Sequence, residues 1–491
     1  MVPEQASNTV LVLYDLVFFG ASVVDGSGAA AFVADVALQG DRIVAIGQLP
    51  PGCGRVEIAA KGLMLAPGFI DVHTHDDLEL IRNPVMLAKL SQGVTTVITG
   101  NCGISAAPAN HCLPPPDPMN LLGQQAEFAY QDFAAYGQAL VNAQPGVNVA
   151  ALVGHTTLRH AVMIDLSKAA TATEQQQMQQ LLRESLAQGA LGLSSGLAYH
   201  NAIAAPATEL AVVGAPLAEF DALYTSHLRS EFDAIIPALA EAADLGLTLN
   251  VPVVISHLKC AGIANWGRAA EVLDFMSKRA AQQHFCCDCY PYSASSSTLD
   301  LKQVTADFEI FITWSEPYPE VAGQTLAQIA AQWQLPLLDT ATKLMPAGAV
   351  YHGMSETDVQ QFLSYPPTMI GSDGLPCDPH PHPRLWGAFP RVLGHYSRDL
   401  QLFSLNQAIH KMTGLSAQNF KLVDRGRIKV GNFADLVLFD AEKVKDNANF
   451  VQPFAQADGI LQVYVNGGLA FDQGVACPAR YGRFLAHQPT R

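Results

Sequence analysis

Apolar runs of strand length recur from residue 68 to residue 373, and each is separated from the next by a segment long enough for a helix. They read GFIDVHTH, VTTVITGN, VNVAALVGH, ALGLSSG, ALYTSHL, LNVPVVISHL, HFCCDCYPY and TMIGSDG, eight strands in all. Among the intervening segments, ATEQQQMQQLLRESLAQG (172–189) carries Leu181, Leu182 and Leu186 at helical spacing and Gly189 as a stop signal. Parallel strands need long crossovers, so eight such alternations predict an α/β fold of the (β/α)8 TIM type.

The flanks carry a different pattern. Residues 10–65 and 427–480 alternate short strands with tight turns, as in GDRIVAIG and GNFADLVLFD, and lack a long helical period. This predicts a small β-sandwich domain built from both chain ends (1–66 and 427–491) around a barrel spanning 67–426. Residues 293–350, between the seventh and eighth strands, exceed a simple crossover and place Pro317, Pro319, Pro336 and Pro346 around the helix-like GQTLAQIAAQW. The expected role is a lid over the barrel mouth.

Composition narrows the partners. A 49% hydrophobic content over 491 residues describes a globular protein, and a formal charge of −16 repels phosphate backbones and anionic membranes. No apolar run reaches the roughly 18 residues of a membrane span, and MVPEQASNTVLVLYDLVFFG lacks a basic n-region and a small-residue cleavage pattern. A cytoplasmic protein with neither nucleic acid nor membrane as partner is expected. The nine cysteines are odd in number and scattered, as reduced thiols are. CCDC (286–289) lacks zinc-knuckle spacing and reads as buried strand.

The chemistry collects at strand ends. Alternate residues of a strand share a face, so Asp71, His73 and His75 point into the barrel at its C-terminal end. The second strand ends at Cys102, the fifth at His227, the sixth at His257 and the eighth at Asp373, all metal-ligand types. Barrel enzymes assemble their sites from these ends. Histidine, thiolate and carboxylate together favour zinc, with cobalt, iron or manganese as alternatives. Zinc lowers the pKa of a bound water to about 7, and Asp373 is placed to take and return its proton, which predicts hydrolysis at a carbonyl. Lys259, Tyr290 and Arg384 suit a carboxylate-bearing substrate, and Tyr199 either polarises a carbonyl or packs. His155, His380, His382 and His395 read as structural, and Asp76 and Asp77 as residues that cap a helix or orient ligands.

The ordered motifs GFIDVHTHDD, GVTTVITGNCGIS, ALGLSSGLAY, SHLRSE, ISHLK, YPYSASSSTL, GSDGLP, HPRLWGAFPRVLGHY and GRIKVGNFADLVLFD resemble the amidohydrolase superfamily, and within it the N-acyl-D-amino-acid deacylase branch, over nearly the whole chain. The resemblance implies one zinc held tightly by Cys102, His227 and His257, with His73, His75 and Asp373 bordering a second position that is weak or empty. It implies Asp373 as general acid and base, Tyr199 as a carbonyl partner, and Lys259, Tyr290 and Arg384 as anchors of the amino-acid carboxylate. The implied substrate is a small N-acyl-D-amino acid, and an oligomer is compatible with it. Activity on neutral side chains is favoured; the alternatives are a deacylase specific for acyl-D-glutamate or acyl-D-aspartate, for which Lys302 is a candidate contact, and a hydantoinase-like cyclic-amide hydrolase. The lysine that hydantoinase-like relatives place on the fourth strand is absent from ALGLSSGLAY, and Cys102 takes its place.

Overall fold

The computed structural model describes residues 13–109 and 113–489. The start of the N-terminal segment, the two outermost residues at the other end and Cys112 therefore lie outside the described residues.

Eight strands stand where the apolar runs place them: Phe69–Asp71, Val94–Thr99, Asn148–Ala151 continuing as Val153–Gly154, Gly192–Gly196, Leu223–His227, Val253–Ile255, Phe285–Cys289 and Thr368–Ile370. Successive strands pair in parallel from the first to the third and from the third to the eighth. Leu152 interrupts the third strand, and its N–H donates to Thr99 O at 2.9 Å, so the ladder continues across the break. This is a TIM-barrel-type fold. Ile70, Ile98, Ala150, Leu191, Leu223, Val254, Cys286 and Met369, one residue from or adjoining each strand, meet in a single interior cluster with Phe420 and Leu422. That apolar plug fills the lower barrel and confines polar chemistry to the strand ends above it.

The first and last strands close the barrel beyond their regular residues. Asp373 N donates to His73 O at 2.7 Å and His75 N to Gly374 O at 3.1 Å. The seam of the barrel thus runs through three of the expected site residues.

The helix expected over 172–189 spans Ala172–Ala187. Thr171 caps it by accepting from Glu174 N, and the Glu174 side chain accepts in return from Thr171 N. Leu182 and Leu186 are buried, whereas Leu181 is half-buried at the edge of the apolar stripe.

Nine strands from the two chain ends form one hydrogen-bonded sheet. The sheet curls over on itself, so that Phe18 and Tyr464, three strands apart in the order, meet with ring centroids 5.3 Å apart. A single network results because the ten-residue strand Tyr14–Val23 pairs through its first half with Gly54–Ala59 and through its end with Met64–Pro67. Met64–Pro67 then pairs antiparallel with Leu436–Phe439, joining the chain ends two residues before the barrel begins. Between the seventh and eighth barrel strands, Ser295–Thr298, Ala347–Tyr351 and Ile310–Ser315 form a three-stranded antiparallel sheet with its own apolar core. No helix of the described residues is long and apolar enough to cross a membrane.

Gly100 ends the second strand at φ +75°, and a Cβ there would lie 2.1 Å from Leu152 O. Gly100→Ala is therefore expected to destabilise the protein by at least about 2 kcal/mol in urea unfolding, combining left-handed strain with a backbone clash. A change below about 0.5 kcal/mol, the range of an unconstrained surface position, would contradict the packing of the second strand on the third.

Candidate metal centre

Cys102 leaves the second strand through a sharp turn in which Gly100, Cys102 and Gly103 all adopt positive φ. His257 and Asp373, at the ends of the sixth and eighth strands, also have positive φ, +35° and +49°. Non-glycine side chains adopt this region uncommonly, aspartate, asparagine and histidine more often than the rest, so modest strain is stored in three expected ligands. Local bonds hold it in place. Gly103 N donates to Ser194 Oγ at 3.0 Å, His257 N donates to Asp288 Oδ1 at 2.9 Å, and Asp373 N is fixed by the seam.

These turns bring the ligand atoms of His73, Cys102, His257 and Asp373 within 4.8 Å of one another. Cys102 Sγ lies 3.2 Å from both His73 Nε2 and His257 Nε2. Asp373 Oδ1 is 3.1 Å from His75 Nε2 and 3.4 Å from His73 Nε2. His227 falls in an overlapping group with Glu231 and His257, its ring 4.4 Å from that of His257. All six expected ligands thus converge at one end of the barrel, with Cys102 equidistant between a histidine of each implied subset.

The electrostatics favour a thiolate and a carboxylate. Burial alone would push the Cys102 thiol up, but the imidazoles of His73 and His257 outweigh it and hold the thiol well below its ordinary value. Burial also opposes ionisation of Asp373, and Arg384, with Nη1 2.8 Å from Oδ2, together with His257 and His75 reverses it, so the carboxyl stays well below the usual range. Burial lowers His75, yet hydrogen bonds to Asp373 and Cys102 raise it to about 9. The anionic groups hold protons on imidazoles that a cation would displace. Thiolate sulfur, imidazole nitrogen and carboxylate oxygen suit a borderline-soft divalent ion, and His75 Nδ1 and His227 Nδ1 are buried without a partner among the described residues. The residues present fit a zinc-type site.

Around this cluster, Tyr290 meets two cations, with Arg384 Cζ 4.7 Å and Lys259 Nζ 5.6 Å from its ring centroid. Both cations already face an acid. Lys259 Nζ donates to Glu231 Oε1 at 2.6 Å and lies 2.8 Å from His257 Nδ1. The Tyr199 ring lies 4.8 Å from that of His227, and Ser297 Oγ of the inserted sheet approaches the Tyr199 hydroxyl at 3.5 Å. His155 and Arg159 share the buried Glu209 carboxylate, with 3.1 Å from His155 Nε2 to Oε1. His382 Nδ1 accepts from Arg384 N, His380 meets Phe450 O and His395 packs edge-on against Tyr396.

Three charged residues escaped the sequence reading. Glu231 follows His227 by four, and burial would raise its carboxyl, but Lys259, His227 and His257 bring it down to about 2. Asp288 sits in CCDC, where Cys287 and Cys289 face the helices and Cys286 and Asp288 face inward. Its Oδ2 lies 3.3 Å from His73 Nδ1, turning that ring's Nε2 toward Cys102. Period-two alternation continued back from Tyr290 would have found it. Lys89, fully buried beneath the seam, had no such signal.

An Amidohydrolase family model matches residues 56–257 and 326–471. The chain is 46% identical to a D-aminoacylase of Alcaligenes xylosoxydans xylosoxydans over 473 residues, covering 96% of this chain and 98% of that protein. An N-acyl-D-glutamate deacylase of the same organism is 45% identical, covering 96% of each. The crystal structure of N-acyl-D-glutamate deacylase from Bordetella bronchiseptica, complexed with zinc and a phosphonate mimic of the tetrahedral intermediate, superposes with a TM-score of 0.92 at 42% identity over 96% of this chain and 99% of that one.

Because Asp288 orients His73 and holds the strained backbone of His257, Asp288→Asn is expected to weaken divalent-metal binding about 10- to 100-fold in chelator competition. Unchanged affinity would remove Asp288 from the support of the cluster.

Proposed function

The chain belongs to the amidohydrolase family, and from that premise we propose that it hydrolyses the amide bond of N-acyl-D-amino acids, giving a carboxylate and a free D-amino acid. The observation that carries the reading is the Cys102 thiol placed between His73 and His257, with Asp373 beside them and Arg384 behind it. Cys102, His227 and His257 would hold one zinc tightly, and His73, His75 and Asp373 would border a weaker second position.

Zinc, when bound, supplies a Lewis acid for the acyl carbonyl and acidifies water. Asp373, kept ionised by Arg384, accepts the proton of the attacking water and returns it to the leaving nitrogen. Arg384, Lys259 and Tyr290 orient the amino-acid carboxylate, and the Tyr199 hydroxyl donates to the carbonyl oxygen. Residues 293–350 serve as a lid on the barrel (67–426), supported by the reach of Ser297 to Tyr199 and of Ser296 O to Arg384 Nη2 at 3.2 Å. Residues 1–66 and 427–491 form the accompanying small β domain.

Neutral side chains fit best. Lys259 is committed to Glu231, Arg384 to Asp373, and Lys302 is exposed, so among these three no spare buried cation awaits a second carboxylate. The fourth strand, Gly192–Gly196, carries no lysine, which weighs against a hydantoinase-like site bridged by a modified lysine.

Purified protein is expected to carry zinc and to release amine from acetyl-D-amino acids with the L-enantiomers far slower; equal rates on both would sink the reading. Asp373→Asn is expected to keep tightly bound zinc by metal analysis while kcat falls about 10²- to 10⁴-fold, the range for loss of a general acid–base group. Turnover within a factor of two of wild type would take proton transfer away from Asp373.

A further inference from the structure

Lys89, in the short helix Leu87–Leu90, has no solvent exposure, and the functional reading leaves it without a role. Its ammonium faces four oxygens: Asp71 Oδ2 at 2.8 Å, Thr74 Oγ1 at 2.9 Å, Ser372 Oγ at 3.1 Å and Asp76 Oδ2 at 3.1 Å. Asp71, Thr74 and Asp76 belong to the first strand and its turn, Ser372 to the eighth. The cation therefore spans the seam at which the barrel closes.

The bonds continue to the neighbours of the reacting groups. Asp71 Oδ1 accepts from Ser372 N at 2.8 Å and from His73 N at 3.3 Å, so one carboxylate oxygen gathers backbone from both strands. Ser372 Oγ donates to Asp71 Oδ2 at 2.6 Å and accepts from Gly374 N at 3.1 Å. Asp373 is thus held on both sides, at 372 and at 374, while its own φ of +49° is unfavourable.

A buried ammonium between two carboxylates is a costly way to tie two strands, since well-packed apolar side chains usually do so at least as well. Apolar side chains offer no acceptors for the amides of residues 372 and 374. We infer that Lys89 is a positioning residue for the hydrolysis: through Asp71 and Ser372 it fixes the backbone that aims the Asp373 carboxylate. This rests on Asp373 acting as the proton-transfer group.

The test uses the full-length zinc-loaded protein, with Lys89→Met, Ser372→Ala and Ser372→Thr. Displacing a reacting group by about 1 Å costs on the order of 10²-fold in rate. Lys89→Met is expected to lower kcat about 100-fold and Ser372→Ala about tenfold, with KM within about threefold of wild type and zinc content unchanged. Ser372→Thr, which keeps the hydroxyl, is expected to restore kcat. In the metal-free protein, amide hydrogen exchange at Asp373 and Gly374 should quicken in Ser372→Ala. If Lys89→Met fails to fold, Ser372→Ala and Ser372→Thr decide. Wild-type kcat in Ser372→Ala, a raised KM at constant kcat, or unchanged exchange at 373 and 374 would each overturn the positioning role. Absence of turnover in the wild type would instead overturn the hydrolase reading, and the positioning role with it.

Discussion

The crowding of buried charge at the barrel mouth is the constraint on which the rest depends. A thiol, imidazoles and a carboxylate with ligand atoms within 4.8 Å of one another, out of water, are tolerable only if every charge is compensated nearby. The compensation is local and layered. Arg384 faces Asp373, Lys259 faces Glu231, Asp288 meets His73, and Lys89 neutralises part of the Asp71–Asp76 pair below. The apolar plug of barrel residues closes this polar layer from beneath, so the charges interact in a medium that weakens them little.

Such an arrangement explains why the strained residues are where they are. Cys102, His257 and Asp373 each stand two or three residues beyond a regular strand, where the chain must turn a side chain inward instead of continuing the pleat. Regular strand geometry alone would send successive side chains to opposite faces. Positive φ at these ends re-aims the donors, and the cost is met by hydrogen bonds that fix the turns: Asp288 accepts from His257 N, His73 O from Asp373 N and Ser194 Oγ from Gly103 N.

Much of this was legible in the sequence, for reasons that differ from element to element. Strand and helix periods are local, so all eight barrel strands and the capped helix at Ala172–Ala187 followed from the apolar pattern. Ligand-type residues at strand ends stood out because each follows closely on an apolar strand. Glu231 and Lys89 did not, since a lone charge on a loop or short helix looks like any solvated residue until the fold buries it. Asp288 was hidden by its cysteines, which made the strand look wholly structural. The single sheet of the chain ends was illegible for another reason: one long strand changes partner midway, and no period records pairing partners.

On the proposed reading Arg384 and Lys259 both face the substrate carboxylate, and their internal pairing bears on recognition itself. Arg384 and Lys259 both approach the Tyr290 ring, yet each is already satisfied by an internal carboxylate, Asp373 and Glu231. An incoming carboxylate must share these cations rather than meet bare charge, so its binding energy is the difference between two ion pairs and not the worth of one. The Arg384–Asp373 contact joins this exchange to the chemistry. A substrate carboxylate drawing on the guanidinium weakens its hold on Asp373, and a carboxylate less firmly held as an anion accepts a proton more readily. Correct seating of the amino-acid carboxylate would thus raise the basicity of the group that must take the proton, coupling recognition to turnover through one arginine.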